Sequence, residues 1–216
     1  PAPWEKYYTE VELNVKIPNI SMYEQVRRSA LKYPNYKAIE YLGKSITYKK
    51  FIGLIDKASL AFEDLGIAKG DIVTICLPNV PEALIALYAL NKLGAIANML
   101  HPLSAEEEIK HSLLTTKSKY MVFLESFYDK IENIIKETSV RKVIFVSPSD
   151  SLNIFMRIGY KLKSIGKFRK YPQDKLFISW RKFIKKEPIK KKEHYPKYGR
   201  NTPAVILHSG GTSGTP

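Results

Sequence analysis

Short apolar runs separated by helical segments are the feature that most constrains the fold of this chain. The runs occupy residues 72–77, 95–100, 120–124 and 142–146. The first run does not alternate between apolar and polar residues, which is typical of a parallel strand covered on both faces. The segments between the runs are long enough for the crossover helices that parallel strands need. The sequence therefore predicts an α/β fold, a mostly parallel sheet with helices on both faces.

Local signals predict where the helices begin and end. Within 48–65, apolar residues recur at spacings of three and four, which predicts an amphipathic helix that ends at Gly66. Pro81 opens a second, largely apolar helix. Ser104 and Glu107 have the spacing of a capping box and predict the start of a third helix.

Composition favours a folded domain in a reducing compartment. The chain has 216 residues, of which 44% are hydrophobic and 26% charged, and this balance excludes a fully disordered chain. Cys76 is the single cysteine, so the chain cannot build a disulfide framework, and a cytoplasmic location is expected. The longest apolar window, 83–100, is interrupted by Asn91, Lys92 and Gly94, which predicts a helix and a strand instead of a membrane span.

Positive charge is concentrated in one stretch. The net charge is +14, and residues 157–200 alone contain 16 basic and 3 acidic residues. Within 153–170, an apolar stripe at helical spacing is surrounded by Lys and Arg, which predicts a basic amphipathic helix. The stripe consists of Ile154, Ile158, Leu162, Ile165 and Phe168.

Three interpretations of this basic helix stay open from sequence alone. In the first, its apolar stripe packs on its own domain. In the second, the helix lies on an anionic membrane surface on the cytoplasmic side. In the third, the basic residues bind nucleic acid together with Phe177, Trp180 and Phe183. No known nucleic-acid-binding motif accompanies them, so nucleic acid is the weakest of the three partners.

A segment rich in glycine and hydroxyl groups follows the last predicted strand, 204–207. This segment, the phosphate loop, consists of Ser209, Gly210, Gly211, Thr212, Ser213, Gly214 and Thr215. Glycines let successive backbone N–H groups face an anion, and hydroxyls add donors without charge, so the expected ligand is a polyphosphate. Open α/β sheets bind ligands at strand ends, which favours this interpretation over a flexible tail. His208 leads into the loop, and both a pocket-lining and a packing role are open for it.

Residues 209–216, Ser-Gly-Gly-Thr-Ser-Gly-Thr-Pro, resemble the phosphate-binding signature of adenylate-forming enzymes, which include the acyl-CoA synthetases. Gly210 and Ser213 stand where many members have Ser and Thr. Other pieces agree in order and spacing, namely Ile46-Thr47-Tyr48, Gly70-Asp71-Ile72-Val73, Leu77-Pro78-Asn79, Pro81-Glu82 and Lys92-Leu93-Gly94-Ala95. The resemblance covers essentially the whole chain. The chain resembles the N-terminal portion of the large domain of these enzymes. In finer detail, it resembles that portion of a long-chain fatty acid CoA ligase.

The resemblance implies an ATP-dependent acid–thiol ligase. In such an enzyme a carboxylic acid, here expected to be a fatty acid, attacks ATP to form an acyl-adenylate, and coenzyme A then displaces AMP. The phosphate loop would hold the phosphates of ATP beside Mg²⁺. The catalytic residues are expected beyond Pro216, so the 216 residues alone are expected to be inactive.

These expectations divide the chain into an αβ subdomain at 1–147, a basic amphipathic excursion at 148–200, and a strand with the phosphate loop at 201–216, where the chain stops within the motif. The four histidines are scattered, so no metal site is expected among the protein's own side chains. The rival hypothesis is a noncatalytic basic domain that binds membrane or nucleic acid.

Overall fold

The computed structural model describes residues 2–14, 18–163, 171–172, 175–185, 196, 198–199 and 201–208. The phosphate loop lies outside the described residues, as do Ile165 and Phe168 of the predicted stripe. The structure therefore tests how the chain approaches the loop.

Helices and strands alternate along most of the chain. The helical segments α1–α8 are Glu10–Leu13, Met22–Lys32, Tyr48–Asp64, Pro81–Leu93, Glu106–Thr116, Tyr128–Ile131, Ile154–Lys163 and Trp180–Phe183. The strands β1–β8 are Lys37–Tyr41, Lys44–Thr47, Ile72–Cys76, Ile96–Leu100, Tyr120–Leu124, Lys142–Val146, Phe177–Ser179 and Val205–Leu207. Short 3₁₀ segments occupy Glu5–Tyr7, Glu125–Phe127 and Ile134–Glu137.

The central sheet is parallel. Its six strands lie in the order β7-β6-β5-β3-β4-β8, and every neighbouring pair is parallel. Strands β1 and β2 form a separate antiparallel hairpin. From β3 the chain moves to β4 on one side and then to β5, β6 and β7 on the other, before β8 returns beside β4. The predicted α/β fold with a mostly parallel sheet is confirmed.

Helices cover both faces of this sheet. On one face, α3 and α4 bury Ile55, Phe62 and Leu90 against the strands. On the other face, α5 and α6 bury Ile109 and Ile131. Burial on both sides explains why the strands are apolar without a regular alternation.

Most predicted helix boundaries agree with the structure. Gly66 and Gly94 follow α3 and α4 with φ of +85° and +74°, the left-handed conformation that ends a helix at low cost for glycine. The capping box at Ser104 and Glu107 is wrong by one residue. The N-cap residue of α5 is Ala105, whose N–H donates to the Glu108 carboxylate at 3.1 Å. The reason is that the Ser104 N–H already donates to the carbonyl of His101 in the turn after β4.

Several elements were not predicted from the sequence, among them helices α1 and α2, the β1–β2 hairpin, β7 and α8. Strand β7 pairs with β6 at one edge of the sheet, although it lies inside the basic stretch. Trp180 and Phe183 of α8 are buried in the core on the α3 and α4 face of the sheet, whereas Phe177 is partly buried against the core on the α5 and α6 face. Their rings are therefore not a stacking surface for nucleic acid. The three-part division of the chain stays a prediction.

Candidate functional site

Strand β8 ends at the carboxyl edge of the sheet, shortly before the phosphate loop in sequence. Strand β8 pairs with β4 in parallel, with Leu207 opposite Met99, so His208 is the next residue at the carboxyl end. Ser209 follows His208 directly in sequence. In open parallel sheets, ligands bind outside this edge. The described structure thus puts the entrance of the loop at the edge where binding sites form.

A buried polar cluster holds the imidazole of His208. We define the cluster as Thr74, Asn98, Ser112 and Ser118, all of which are buried. The His208 Nε2 atom lies 2.8 Å from Asn98 Oδ1 and 3.4 Å from Ser112 Oγ. Asn98 Nδ2 lies 3.0 Å from Thr74 Oγ1 and 2.9 Å from Ser112 Oγ.

The contacts of the polar cluster fix the direction of each hydrogen bond. Asn98 Nδ2 donates to two hydroxyl oxygens, so its Oδ1 is the acceptor that faces His208 and Nε2 carries a proton. Thr74 in turn donates to Ser118 Oγ at 2.9 Å. Because Thr116 donates to the Ser112 carbonyl, Ser118 donates to Thr116 Oγ1 at 2.8 Å. The Nε2 atom of His208 is therefore a hydrogen-bond donor to Asn98 Oδ1.

Burial gives the polar cluster its rigidity. Thr74, Asn98 and Ser118 are 0% exposed, whereas His208 is an exposed residue. A buried polar group that loses its partner costs about 1–3 kcal/mol, so the cluster keeps its arrangement. It therefore anchors an exposed histidine at the entrance of the phosphate loop.

Sequence reasoning missed this cluster, although a signal was present. Thr74 interrupts the run Ile-Val-Thr-Ile-Cys, and Asn98 interrupts Ile-Ala-Asn-Met-Leu. A polar side chain in the middle of a buried strand needs a hydrogen-bond partner. Two such positions on adjacent strands, Thr74 opposite Asn98, indicate a shared network.

A second group of polar side chains lies at the same edge. Glu82, in the first turn of α4, accepts a hydrogen bond from Ser151 Oγ at 2.6 Å, and both residues are buried. Arg181 of α8 donates to Asp150 at 2.6 Å. Because Asp150 and Ser151 follow β6, these contacts tie the start of the basic stretch to α4 and α8.

Burial perturbs the ionisable groups near this edge. It raises the pKa of Glu82, and the nearby charge of Asp150 raises that pKa further, while the hydrogen bond from Ser151 opposes the rise. Burial likewise raises the pKa of Glu125. It raises the pKa of Cys76 to about 12, so this thiol is a core group and not a nucleophile at neutral pH.

The apolar stripe of α7 faces outward. Ile154, Ile158 and Leu162 are 57%, 53% and 67% exposed, and the neighbouring Phe155 is 83% exposed. Arg157 and Tyr160, on the opposite side of the helix, are less exposed. Among the described residues, this part of the stripe is left largely exposed, and the interpretation in which it packs on its own domain stays a prediction.

The described ranges contain neither a cluster of metal-binding side chains nor a helix that could span a membrane. Within them, no group of three or more His, Cys, Asp or Glu side chains is placed to hold a metal ion. Over the same ranges, every helix is too short or too polar to cross a bilayer.

An open parallel sheet whose last described strand ends shortly before the Gly/Ser/Thr-rich sequence 209–215 is what the resemblance to adenylate-forming enzymes predicts. The family model described as AMP-binding enzyme matches residues 26–216, so the chain belongs to this family.

Curated relatives are acyl- and aryl-CoA ligases. A long-chain-fatty-acid–CoA ligase from Bacillus subtilis is 26% identical over 219 residues, a match that covers 99% of this chain and 39% of that protein. A probable 4-coumarate–CoA ligase from Dictyostelium discoideum is 31% identical over 150 residues, which is 66% of this chain and 26% of that protein. The chain thus spans less than half the length of these relatives.

Solved structures share the fold. The anthranilate CoA ligase AuaEII in complex with anthranoyl-AMP matches with a TM-score of 0.74 and 17% identity, over 93% of this chain and 34% of that one. The N-terminal subdomain of Klebsiella oxytoca NpsA, in complex with 3-hydroxybenzoyl-AMSN, matches with a TM-score of 0.60 and 20% identity, over 91% of this chain and 39% of that one.

Proposed function

We propose that the protein that carries this chain activates a carboxylic acid with ATP and transfers the acyl group to coenzyme A. The observation that carries the proposal is the position of β8, which leads into Ser209–Thr215 at the carboxyl edge of the sheet in a member of the AMP-binding family. The sequence of the loop supports binding of the β- and γ-phosphates. The rival hypothesis of a noncatalytic domain has no comparable support.

The chemistry assigns the phosphate loop an electrostatic role. A carboxylate oxygen attacks the α-phosphorus of ATP, pyrophosphate leaves, and the thiol of coenzyme A then displaces AMP from the acyl-adenylate. The backbone N–H groups and the hydroxyls of Ser209, Thr212, Ser213 and Thr215 would orient the departing phosphates and neutralise part of their charge. Mg²⁺, where bound, would supply further charge neutralisation on the phosphates. None of these residues acts as a nucleophile or a base.

The proposed acid is a medium- or long-chain fatty acid. The long-chain ligase of Bacillus subtilis aligns over nearly the whole chain, which supports this choice. Aromatic acids are the competing class, since the 4-coumarate ligase of Dictyostelium discoideum is the more identical of the two over a shorter match.

ATP–pyrophosphate exchange tests the proposal in the full-length protein. The acids assayed run from acetate to long fatty acids and include 4-coumarate and anthranilate. We expect exchange with fatty acids that Thr212→Ala reduces strongly, whereas Thr115→Ala, at an exposed threonine of α5, leaves the rate unchanged. Exchange with aromatic acids alone would mean that the substrates are aromatic acids and not fatty acids. An absence of exchange with every acid would overturn the proposed function.

We also propose that α7 contacts the anionic, cytoplasmic face of a membrane. Its exposed stripe includes Ile154, Phe155 and Ile158, and the same short helix ends at the exposed cation Lys163. Insertion of apolar side chains plus attraction of basic residues to anionic lipid is the pattern of interfacial helices, with each cation worth about 1 kcal/mol near the surface. A fatty acid that partitions into the bilayer would then be close to the enzyme.

Vesicle sedimentation tests this contact. The full-length protein is mixed with vesicles of phosphatidylcholine, with or without phosphatidylglycerol. We expect binding to the anionic vesicles that Ile158→Asp abolishes and that Leu31→Asp, at an exposed leucine of α2, does not affect. If the Ile158→Asp variant sediments with anionic vesicles as much as the wild-type protein does, the role of α7 is refuted. Salt-sensitive binding of an oligonucleotide without any vesicle binding would favour nucleic acid.

A further inference from the structure

The polar cluster needs an explanation beyond the fold. Apolar side chains at Thr74 and Asn98 would fill the same strands without a demand for hydrogen bonds. Instead, the hydrogen bonds from Asn98 connect strand β3, strand β4 and helix α5 to a single residue after β8. That residue, His208, is exposed and directly precedes the phosphate loop.

We infer that Asn98 and His208 are positioning residues for the phosphate loop. Asn98 Oδ1 holds the His208 ring through Nε2 at 2.8 Å, which fixes the side chain of the residue adjacent to Ser209. Fixing this side chain restrains the backbone from which the first N–H groups of the loop emerge. The inference rests on the proposed function, because the restrained loop is the one proposed to bind the phosphates of ATP.

Among the described residues, no hydrogen bond to the second ring nitrogen of His208 is seen. Nε2 is the donor to Asn98, so a neutral His208 presents Nδ1 as an acceptor on the other side of the ring. Neither leucine nor phenylalanine reproduces the Nε2–H bond, whereas glutamine carries an amide N–H at a similar distance from the backbone. Glutamine is therefore the conservative replacement that keeps the anchor.

The expected effect is on ATP and not on the acid. One intramolecular hydrogen bond contributes a modest net free energy, so loss of the anchor should raise the KM for ATP roughly three- to tenfold. The KM for the carboxylic acid should stay within about twofold, because the cluster touches only the approach to the phosphate loop. The Kd of ATP, measured calorimetrically without the acid, should rise in parallel.

Four variants of the full-length protein separate positioning from simple stability. Asn98→Leu and His208→Leu should both raise the KM and the Kd for ATP. His208→Gln should keep both values close to those of the wild-type protein. Tyr120→Phe is the matched control, since it removes a hydrogen bond to the Leu65 carbonyl at the start of β5, outside the polar cluster. It should lower stability and leave the KM for ATP unchanged.

Each outcome is decisive. If wild-type protein shows exchange and His208→Leu has the wild-type KM and Kd for ATP, the inference is wrong while the proposed function stands. Because His208 is exposed, His208→Leu folds even if Asn98→Leu does not. If Tyr120→Phe raises the KM for ATP as much as His208→Leu does, the change in KM follows from lost stability and the inference is again wrong. If wild-type protein shows no exchange, the proposed function itself fails.

Discussion

Substitution of Gly94 by alanine would measure how closely the segment before β8 packs on the sheet. A Cβ atom at Gly94 would lie 2.9 Å from Pro196 Cγ and 3.0 Å from Lys69 Cγ. Gly66 has a similar positive φ, but nothing lies within 4 Å of its Cβ position. Gly66→Ala therefore reports backbone strain alone, and Gly94→Ala reports the same strain plus the contacts with Pro196 and Lys69.

The two effects have different sizes. Alanine in the left-handed region costs about 1–2 kcal/mol relative to glycine. Overpacking against a well-packed neighbour adds about 1–3 kcal/mol. We therefore expect Gly66→Ala to lower the free energy of unfolding by about 1–2 kcal/mol and Gly94→Ala by about 2–5 kcal/mol.

Urea unfolding followed by tryptophan fluorescence would provide the comparison. Trp180 is 2% exposed and Trp4 is 63% exposed, so a Trp4→Phe background leaves the buried residue as the reporter. Adding Pro196→Ala to Gly94→Ala removes the Cγ atom and should recover the part of the steric loss that Pro196 causes. If the two glycine variants differ by less than about 0.5 kcal/mol, Pro196 does not pack on the end of α4 and the reasoning is refuted.

Three further predictions concern the core and the sheet edge. Burial raises the pKa of Glu82 above its ordinary 4.5, so the stability contributed by its neutral form is complete below pH 4.5 and is lost as the pH rises through the raised value. Glu82→Gln should thus stabilise the chain more at pH 8 than at pH 4, and equal urea midpoint shifts would contradict this. A thiol reagent at pH 8 should label Cys76, whose pKa is raised to about 12, only after unfolding, and rapid labelling of native chain would contradict its burial. Phe183→Ala removes a ring 4.9 Å from that of Phe62 and should cost about 3–5 kcal/mol in urea, with a loss below about 1 kcal/mol as the contrary result.

Apolar continuity and glycine signals were sufficient to predict five of the six strands of the central sheet. The run 72–77 became β3, and Gly66 ended its helix, because both features act over a few residues. Strand β7 escaped prediction because it has three residues within a basic stretch, and only its pairing with β6 makes it a strand. The basic charge of this stretch concealed the apolar side chains that enter the core.

The candidate site was only partly visible in the sequence for a similar reason. The composition of Ser209–Thr215 marks the phosphate loop, and that prediction stands untested by the described residues. The anchor of the loop depends on Asn98 and His208, which are far apart in sequence and meet only through the pairing of β4 with β8. Such a contact is a product of topology, which no local pattern encodes.

The pairing of β8 with β4 also bears on the order in which the protein folds. Strands β3 and β4 pair across a short crossover, whereas β8 joins β4 after about a hundred intervening residues. Closing a loop about five times longer costs about 1.4 kcal/mol more in chain entropy, and such contacts form late. During synthesis, the strands β3 to β6 can therefore assemble before β8 has emerged from the ribosome. The edge that we propose to bind nucleotide would then be completed after these strands, on a sheet that is already folded.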